Sequence, residues 1–431
     1  MSFDTLVKQT PAWSDYRAFE AYYEGKRRLQ ALGVNLPPQV RVLEMVVDWP
    51  RIVVEAMSER LHVDGFTVAG AEQAPDEFLR WWRANRMQSV SSLVHTEALV
   101  QGLAYIIVGE ELVDGVPQWN AVTRDRVRCR LDDVTGEPVE AARFFNLDGE
   151  QLAAHYEPHL TTFYGKTRDG RWVVSEKRET PFSRPPVVPV VNRSRLRGRG
   201  GRSEMVDVMG YTDACSRSLT NLQIGQELLA LPQRYMLGGQ KGGFRDAAGN
   251  ELTSWEVYIG HLMTGPENAK VGQLPGADLS QIHATVRLYA GFVAGSSGVP
   301  LSSLGIGTEA NPASADAVIA YSNRHVKKAE LKQVAFGDAY EQVMRLGAEL
   351  VGDPDLVSAA ASLETTWRNA ATITTMETAQ AAVMLVQNRI IPPAIARDMI
   401  GLTAEQKRVA AEWDRSDPLG NVSVFNASES A

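Results

Sequence analysis

The sequence predicts an α+β protein in which helices and strands occupy separate stretches of the chain. Three observations carry this expectation. Apolar residues in the first hundred positions recur near a helical period. From Gly102 to about residue 191 they give way to short β-prone runs separated by turn residues. From Ala313 to Asp353 the chain then runs 41 residues without a proline, in a stretch rich in strong helix formers.

Residues 1–101 are read as helical. Tyr16, Phe19, Tyr22 and Tyr23 share helical spacing ahead of the basic turn Gly25-Lys26-Arg27-Arg28. After Pro37-Pro38, a second pattern runs through Val42, Leu43, Val46, Val47, Ile52, Val53, Met57 and Leu61, and Pro50 kinks or divides it. Another helix is expected between Pro75 and Gly102, with Trp81, Trp82 and Trp119 in the core. Residues 102–192 read as a β-meander. It opens with the apolar run 103–108 and is punctuated by Asp114-Gly115, Asp148-Gly149 and Asp169-Gly170. A basic, Gly-rich joint at 193–202 follows. Ser203-Glu204 opens a helix reaching about Leu231, where Pro232 stops it. Residues 232–277 are Gly-rich and read as a small mixed module. Helix resumes over 278–294, and 295–312 is a Gly/Ser/Pro loop. The helix expected over 313–350 is about 57 Å long at 1.5 Å per residue, so it needs packing partners along its whole length. Residues 363–374 read as a strand, and further helices are expected over 376–387, 393–399 and 404–413.

Composition excludes several classes of protein. A chain of 431 residues can bury a substantial core. No stretch approaches the roughly 18 apolar residues of a membrane span. The N-terminus lacks a basic-then-apolar export pattern, so no export is expected. Two cysteines, Cys129 and Cys215, exclude a disulfide framework and read as small buried hydrophobes. The net charge of −8 argues against a broad basic surface that grips nucleic acid.

Catalytic motifs are missing from the sequence. Gly238-Gly239-Gln240-Lys241-Gly242-Gly243 lacks the spacing of a phosphate-cradling loop. Gly295-Ser296-Ser297-Gly298 has Val299 where a nucleophile elbow needs glycine. His155 and His159 have the spacing of two ligands on a helix, but Pro158 lies between them in a strand-and-turn context. The reading is therefore of no catalytic residues, no metal and no cofactor.

Several stretches resemble the portal proteins of tailed bacteriophages, in particular long-tailed phages of actinobacteria. They are Tyr22-Tyr23-Glu24-Gly25-Lys26-Arg27-Arg28-Leu29, Val47-Asp48-Trp49-Pro50-Arg51, Gly201-Arg202-Ser203-Glu204, Pro232-Gln233-Arg234-Tyr235, Gly298-Val299-Pro300 and Asn311-Pro312-Ala313-Ser314-Ala315-Asp316-Ala317, with Lys327-Lys328-Ala329-Glu330 after them. The resemblance spans about residues 10–415. It implies a portal fold with a helical and β-rich wing (1–202), a two-helix stem (203–231 and 278–294) and a small α/β clip (232–277). A tunnel loop (295–312), a long wing-spanning helix with a returning wing strand (313–374), a short helical crown (375–415) and a tail (416–431) complete it.

The resemblance also implies a dodecameric ring at one capsid vertex of the virion, assembled in the host cytoplasm. Such a ring is the passage for double-stranded DNA during packaging and ejection. Its partners are the terminase large subunit, the head–tail adaptor, the major capsid protein and scaffold, with no membrane. Ser296, Ser297, Ser302, Ser303, Thr308 and Asn311 are then expected to give the tunnel loop a neutral polar face toward DNA. Arg193, Arg195, Arg197, Arg199 and Arg202, with Lys327, Lys328 and Lys332, are candidates for contacts with DNA or a neighbouring subunit, or for a solvated, ion-paired face. Two other classes stay open on the sequence: a head–tail adaptor or minor capsid protein, and a DNA-packaging nuclease or nucleotide hydrolase.

Overall fold

A computed structural model describes residues 3–8, 13–27, 44–69, 74–132, 134–196, 200–229, 234–237, 270–273, 280–306, 315–371, 375–400, 402, 409–410 and 413. The chain forms two compact units, residues 1–370 and 371–431. Among the described residues no helix is long and apolar enough to cross a membrane.

The first unit opens with α1 (Phe3–Lys8) and α2 (Trp13–Tyr23). Next comes α3 (Trp49–Ser58). Pro50 lies in its first turn, where the missing N–H would have no partner anyway and the fixed φ suits a helix start. The kink or division expected at Pro50 is therefore a helix beginning, and residues 44–48 ahead of it are not helical. A short strand β1 (Val63–Val68) follows, which the apolar pattern does not announce. The helix expected over 75–102 is two helices, α4 (Asp76–Ala84) and α5 (Met87–Gln101), broken at Asn85-Arg86, where Arg86 takes φ 54°. Asp76 and Glu77 in the first turn of α4 and Arg83 in its last complement the helix dipole.

The meander is present in two layers. β2 (Leu103–Val113), β3 (Val116–Thr123) and β9 (Val187–Val191) form one sheet in the order β3-β2-β9. β4 (Val127–Leu131), β5 (Pro138–Leu147), β6 (Glu150–Glu157), β7 (Leu160–Lys166) and β8 (Trp172–Glu179) form the other, in sequential antiparallel order. Leu103, Tyr105, Ile107 and Val187 pack against Ala141, Ala154 and Tyr156 between the two sheets. The other face of the five-stranded sheet carries α1. Phe3 stacks on Tyr164 with ring centroids 3.8 Å apart and meets Trp172 edge-on.

Among the described residues, the remainder of the first unit includes α6 (Val206–Leu229), β10 (Arg234–Leu237), β11 (Lys270–Gln273), α7 (Ser280–Ser297), α8 (Ala315–Val351), α9 (Pro354–Ala361) and β12 (Leu363–Trp367). β10 and β11 pair antiparallel, the described part of the expected mixed module. α6 and α7 pack through Val208, Cys215, Ala290 and Val293, joined by Trp49 and Val53 of α3. Cys215 is buried and Cys129 partly buried, and burial pushes the two thiols up to about 11 and about 12. The strand expected over 363–374 ends at Trp367. It pairs with β1 across some three hundred residues of sequence.

The long helix α8 has 37 residues, about 55 Å. Phe336, Tyr340, Val343 and Met344 are buried along it. Tyr340 donates to or accepts from His95 Nε2 of α5 at 2.8 Å and meets Trp82 edge-on. Trp81 and Trp82 are buried as expected, and the half-buried Trp119 donates its backbone N–H to Asn85 Oδ1 at 2.8 Å. The second unit contains α10 (Thr375–Gln387) and α11 (Pro393–Met399), close to the ranges expected; most of 404–413 and all of 414–431 lie outside the described residues.

Glu97 of α5 generates a pH prediction. Burial, together with Glu20 and Asp125 nearby, pushes its carboxyl up to about 7 from the ordinary 4.5. Between those two values the folded chain keeps a proton that the unfolded chain has released. The unfolded state then binds fewer protons, so stability falls as pH rises through the window. We expect wild type to lose about 2 kcal/mol relative to Glu97→Gln between pH 4.5 and 7 in denaturant titrations.

Candidate functional site

The end of α5, the start of β2, the end of β9 and the start of α6 meet at one place, where the basic joint reaches the helices. The chain passes itself there at very short range. Gly102 ends α5 with φ 82°, the left-handed geometry that glycine adopts without a Cβ penalty. Gly201 has φ 73°, and a Cβ on it would lie 1.9 Å from the Gly102 carbonyl oxygen. Both positions therefore require glycine. Backbone bonds fasten the crossing: Asn192 N–H to Gly102 O at 3.0 Å, Arg202 N–H to Asn192 O at 2.9 Å, and Glu204 N–H to Leu99 O at 2.8 Å.

Into this crossing the long helix inserts an ammonium group. Lys332 Nζ donates to Glu204 Oε2 at 2.8 Å and to Asn192 Oδ1. Asn192 Nδ2 donates to Glu204 Oε2 at 3.2 Å and to Arg202 O at 2.8 Å. All three side chains are buried. Burial pulls Lys332 below its ordinary pKa, and Glu204 opposes the shift. Burial alone would raise Glu204, but Lys332, Arg193 and Asn192 outweigh it and hold the carboxylate below its usual range. The pair is thus a desolvated ion pair to which Asn192 adds a hydrogen bond on each partner, and such added bonds help a buried pair to persist.

One and two turns earlier on α8, two more cations serve the end of α7. Lys328 Nζ donates to the carbonyls of Ser296 and Ser297 at 3.0 and 2.8 Å, and Arg324 to that of Gly295 at 2.8 Å. The last carbonyls of a helix lack intrahelical partners and carry its negative dipole end, so cations are favoured there. Lys327 is exposed. In the joint, Arg193 and Arg202 both pair with Asp207 in the first turn of α6, at 2.7 and 2.6 Å. Arg195 is exposed, while Arg197 and Arg199 lie outside the described residues.

The polar loop residues divide in the same way. α7 continues to Ser297, so Ser296 and Ser297 belong to its last turn and not to a loop starting at 295. Ser297 is buried, donating to Val293 O at 2.7 Å and accepting from Val299 N–H at 3.1 Å. Ser302 and Ser303 are exposed on a 3₁₀ turn, Leu301–Leu304. Thr308 and Asn311 lie outside the described residues. The sequence did hold a signal for Lys332: it shares a helix face with Ala329, Phe336 and Ala339, an apolar stripe. No local signal marks Glu204 or Asn192 as its partners.

Comparison with known proteins fits this architecture to a class. The family model described as phage portal protein, SPP1 Gp6-like, matches residues 12–417. The chain is 31% identical over 417 residues to the portal protein of Mycobacterium phage D29, covering 93% of this chain and 85% of that one. It is 29% identical over 420 residues to the portal protein of Mycobacterium phage L5, with 94% and 86% covered. Among solved structures, the neck of an empty gene transfer agent particle matches with a TM-score of 0.50 at 14% identity, over 92% of this chain and 96% of that one. That likeness is one of fold, and the family model with the two mycobacteriophage relatives gives the class, a portal protein of phage particles. The chain belongs to the phage portal protein family of the SPP1 Gp6-like type, a structural family of the virion.

Two glycines of the joint give a matched test. Gly201→Ala is expected to destabilise by more than about 4 kcal/mol or to prevent folding, because its Cβ meets backbone. Gly200→Ala, whose Cβ meets nothing within 4 Å, should stay within about 0.5 kcal/mol of wild type. Thermal and urea unfolding of both variants checks this.

Proposed function

We propose that copies of this chain close into a ring of about twelve at one capsid vertex, the passage for double-stranded DNA during packaging and ejection. The terminase large subunit docks on it during packaging and the head–tail adaptor afterwards; the major capsid protein and scaffold surround it during assembly in the host cytoplasm. Residues 1–202 with β12 form the wing, α6 and α7 the stem, 232–277 the clip, the segment after α7 the tunnel loop, and 375–415 the crown. Membership of the portal family supports each of these assignments. The ring carries no catalysis of its own.

One observation favours the conduit over a protein that holds DNA. In α6 and α7 together, 24 and 18 residues, Arg217 and Arg287 are the only Lys or Arg. Each cation presented to phosphate releases a counterion and tightens binding, so a dozen copies of a basic stem would stall a moving duplex. The cations at the end of α7 are turned instead to carbonyls of their own subunit. Ser302, Ser303, Thr308 and Asn311 then give the loop a neutral polar face.

Light scattering and negative-stain electron microscopy test the ring. A particle of about 570 kDa, twelve copies of a 47.3 kDa chain, with a central hole is expected. A species no larger than a dimer under conditions that support procapsid assembly would contradict it. For the loop, Ser302→Arg with Ser303→Arg should slow packaging several-fold at low salt and less at high salt. Packaging at the wild-type rate at all salt concentrations would remove the loop from the DNA path.

A further inference from the structure

The outer face of the five-stranded sheet carries a second polar cluster, away from the junction. His155 and Glu157 are two residues apart on β6, so both side chains leave the same face of the sheet. Glu140 stands on the neighbouring strand β5. The register Ala141↔Tyr156 sets it directly opposite Glu157. One donor atom from each of the three lies within 4.8 Å of the others. Glu140 and His155 are each 4% exposed, while Glu157 is 41% exposed.

The two ring nitrogens of His155 have different environments. Nε2 faces Glu140 Oε1 at 2.9 Å, and the other Glu140 oxygen accepts from Arg130 Nε at 3.3 Å. A buried carboxylate on Nε2 places the proton there and leaves the Nδ1 lone pair outward. Nδ1 lies 3.6 Å from Glu157 Oε2, too long for a hydrogen bond. Two donors that each sit about 2.0–2.1 Å from a tetrahedrally coordinated ion are about 3.3–3.4 Å apart, so the pair needs to close by only a few tenths of an ångström to share one.

We propose that His155 Nδ1 and Glu157 bind a zinc-class divalent metal ion on the outer face of this sheet, with Glu140 as the buried carboxylate that orients His155. Water fills the remaining coordination positions, on the side where Glu157 is exposed. A carboxylate on the far nitrogen of a metal-binding histidine is the usual outer partner: it fixes the tautomer and raises ligand basicity. Phe3 of α1, its ring centroid 5.6 Å from that of His155, covers one flank of the site. The sequence reading weighs His155 only with His159, at helical spacing, and sets that pair aside because Pro158 lies between them in a strand-and-turn context. On a strand the same-face neighbour is two residues away, and His159 stands in the following turn with φ 61°.

Zn²⁺ titration by calorimetry on the intact chain, with Co²⁺ absorption as a second readout, tests this. One ion per subunit is expected, with Co²⁺ bands characteristic of nitrogen and oxygen ligands. Glu157→Gln, which changes a half-exposed side chain and leaves the sheet intact, should weaken Zn²⁺ binding more than tenfold. His155→Ala should abolish it, and Glu140→Gln should weaken it about ten- to a hundredfold, the range for an outer partner. Absence of saturable Zn²⁺ binding to wild type, or binding that Glu157→Gln leaves unchanged in a variant with wild-type circular dichroism, overturns the proposal.

Discussion

A lysine ammonium held inside the protein is the constraint on which the rest of the fold depends. Taking Lys332 and Glu204 out of water costs several kcal/mol per ion, and their attraction offsets this only with good geometry and further hydrogen bonds. Asn192 supplies one to each partner, its amide N–H to Glu204 and its carbonyl oxygen to Lys332. The arrangement therefore tolerates one register of the long helix. A slip of one residue would turn Lys332 by about 100° and leave Glu204 buried without its cation. Because Glu204 lies just ahead of α6 and Asn192 just after β9, that register also fixes where the paired helices leave the β-layers. Gly102 and Gly201 permit the close crossing, and the ion pair selects which crossing forms.

The distribution of cations follows from the same geometry. Four of the basic residues singled out in the sequence, Arg193, Arg202, Lys328 and Lys332, bind groups of their own subunit. Each sits where a helix end or a buried carboxylate needs positive charge: Asp207 in the first turn of α6, the last carbonyls of α7, and Glu204. Positive charge in these segments holds helices together. For a ring that lets a polyanion slide through, that economy is physically sensible, since a cation already engaged within the subunit is not presented to phosphate.

Much of this fold was legible in the sequence, and the failures have physical reasons. The long helix, the two shorter helices α6 and α7, and the meander stood out because their periodicity is sustained over many residues. Pro50 misled because a proline reads alike as a break or as a first turn, and only the non-helical residues before it decide. β1 escaped because Val63-Asp64-Gly65-Phe66 has a weak apolar pattern and is held by β12, from the far end of the sequence. Ser297 looked like loop because Gly295 and Gly298 flank it; in the structure its hydroxyl bonds back to Val293 and lets the helix run on. At the junction, the buried face that carries Lys332 was readable and its partners were not, since pairing across more than a hundred residues leaves no local trace.

The most direct measurement of the central claim is a double-mutant cycle on Lys332→Met and Glu204→Gln, read by urea unfolding at neutral pH. The account predicts that each single change is strongly destabilising, by about 3 kcal/mol or more, and that the double variant recovers part of that loss, a coupling of about 1–3 kcal/mol. Single losses that simply add, within about 0.5 kcal/mol, would mean that the two groups do not act as a pair and that something else sets the register of the long helix.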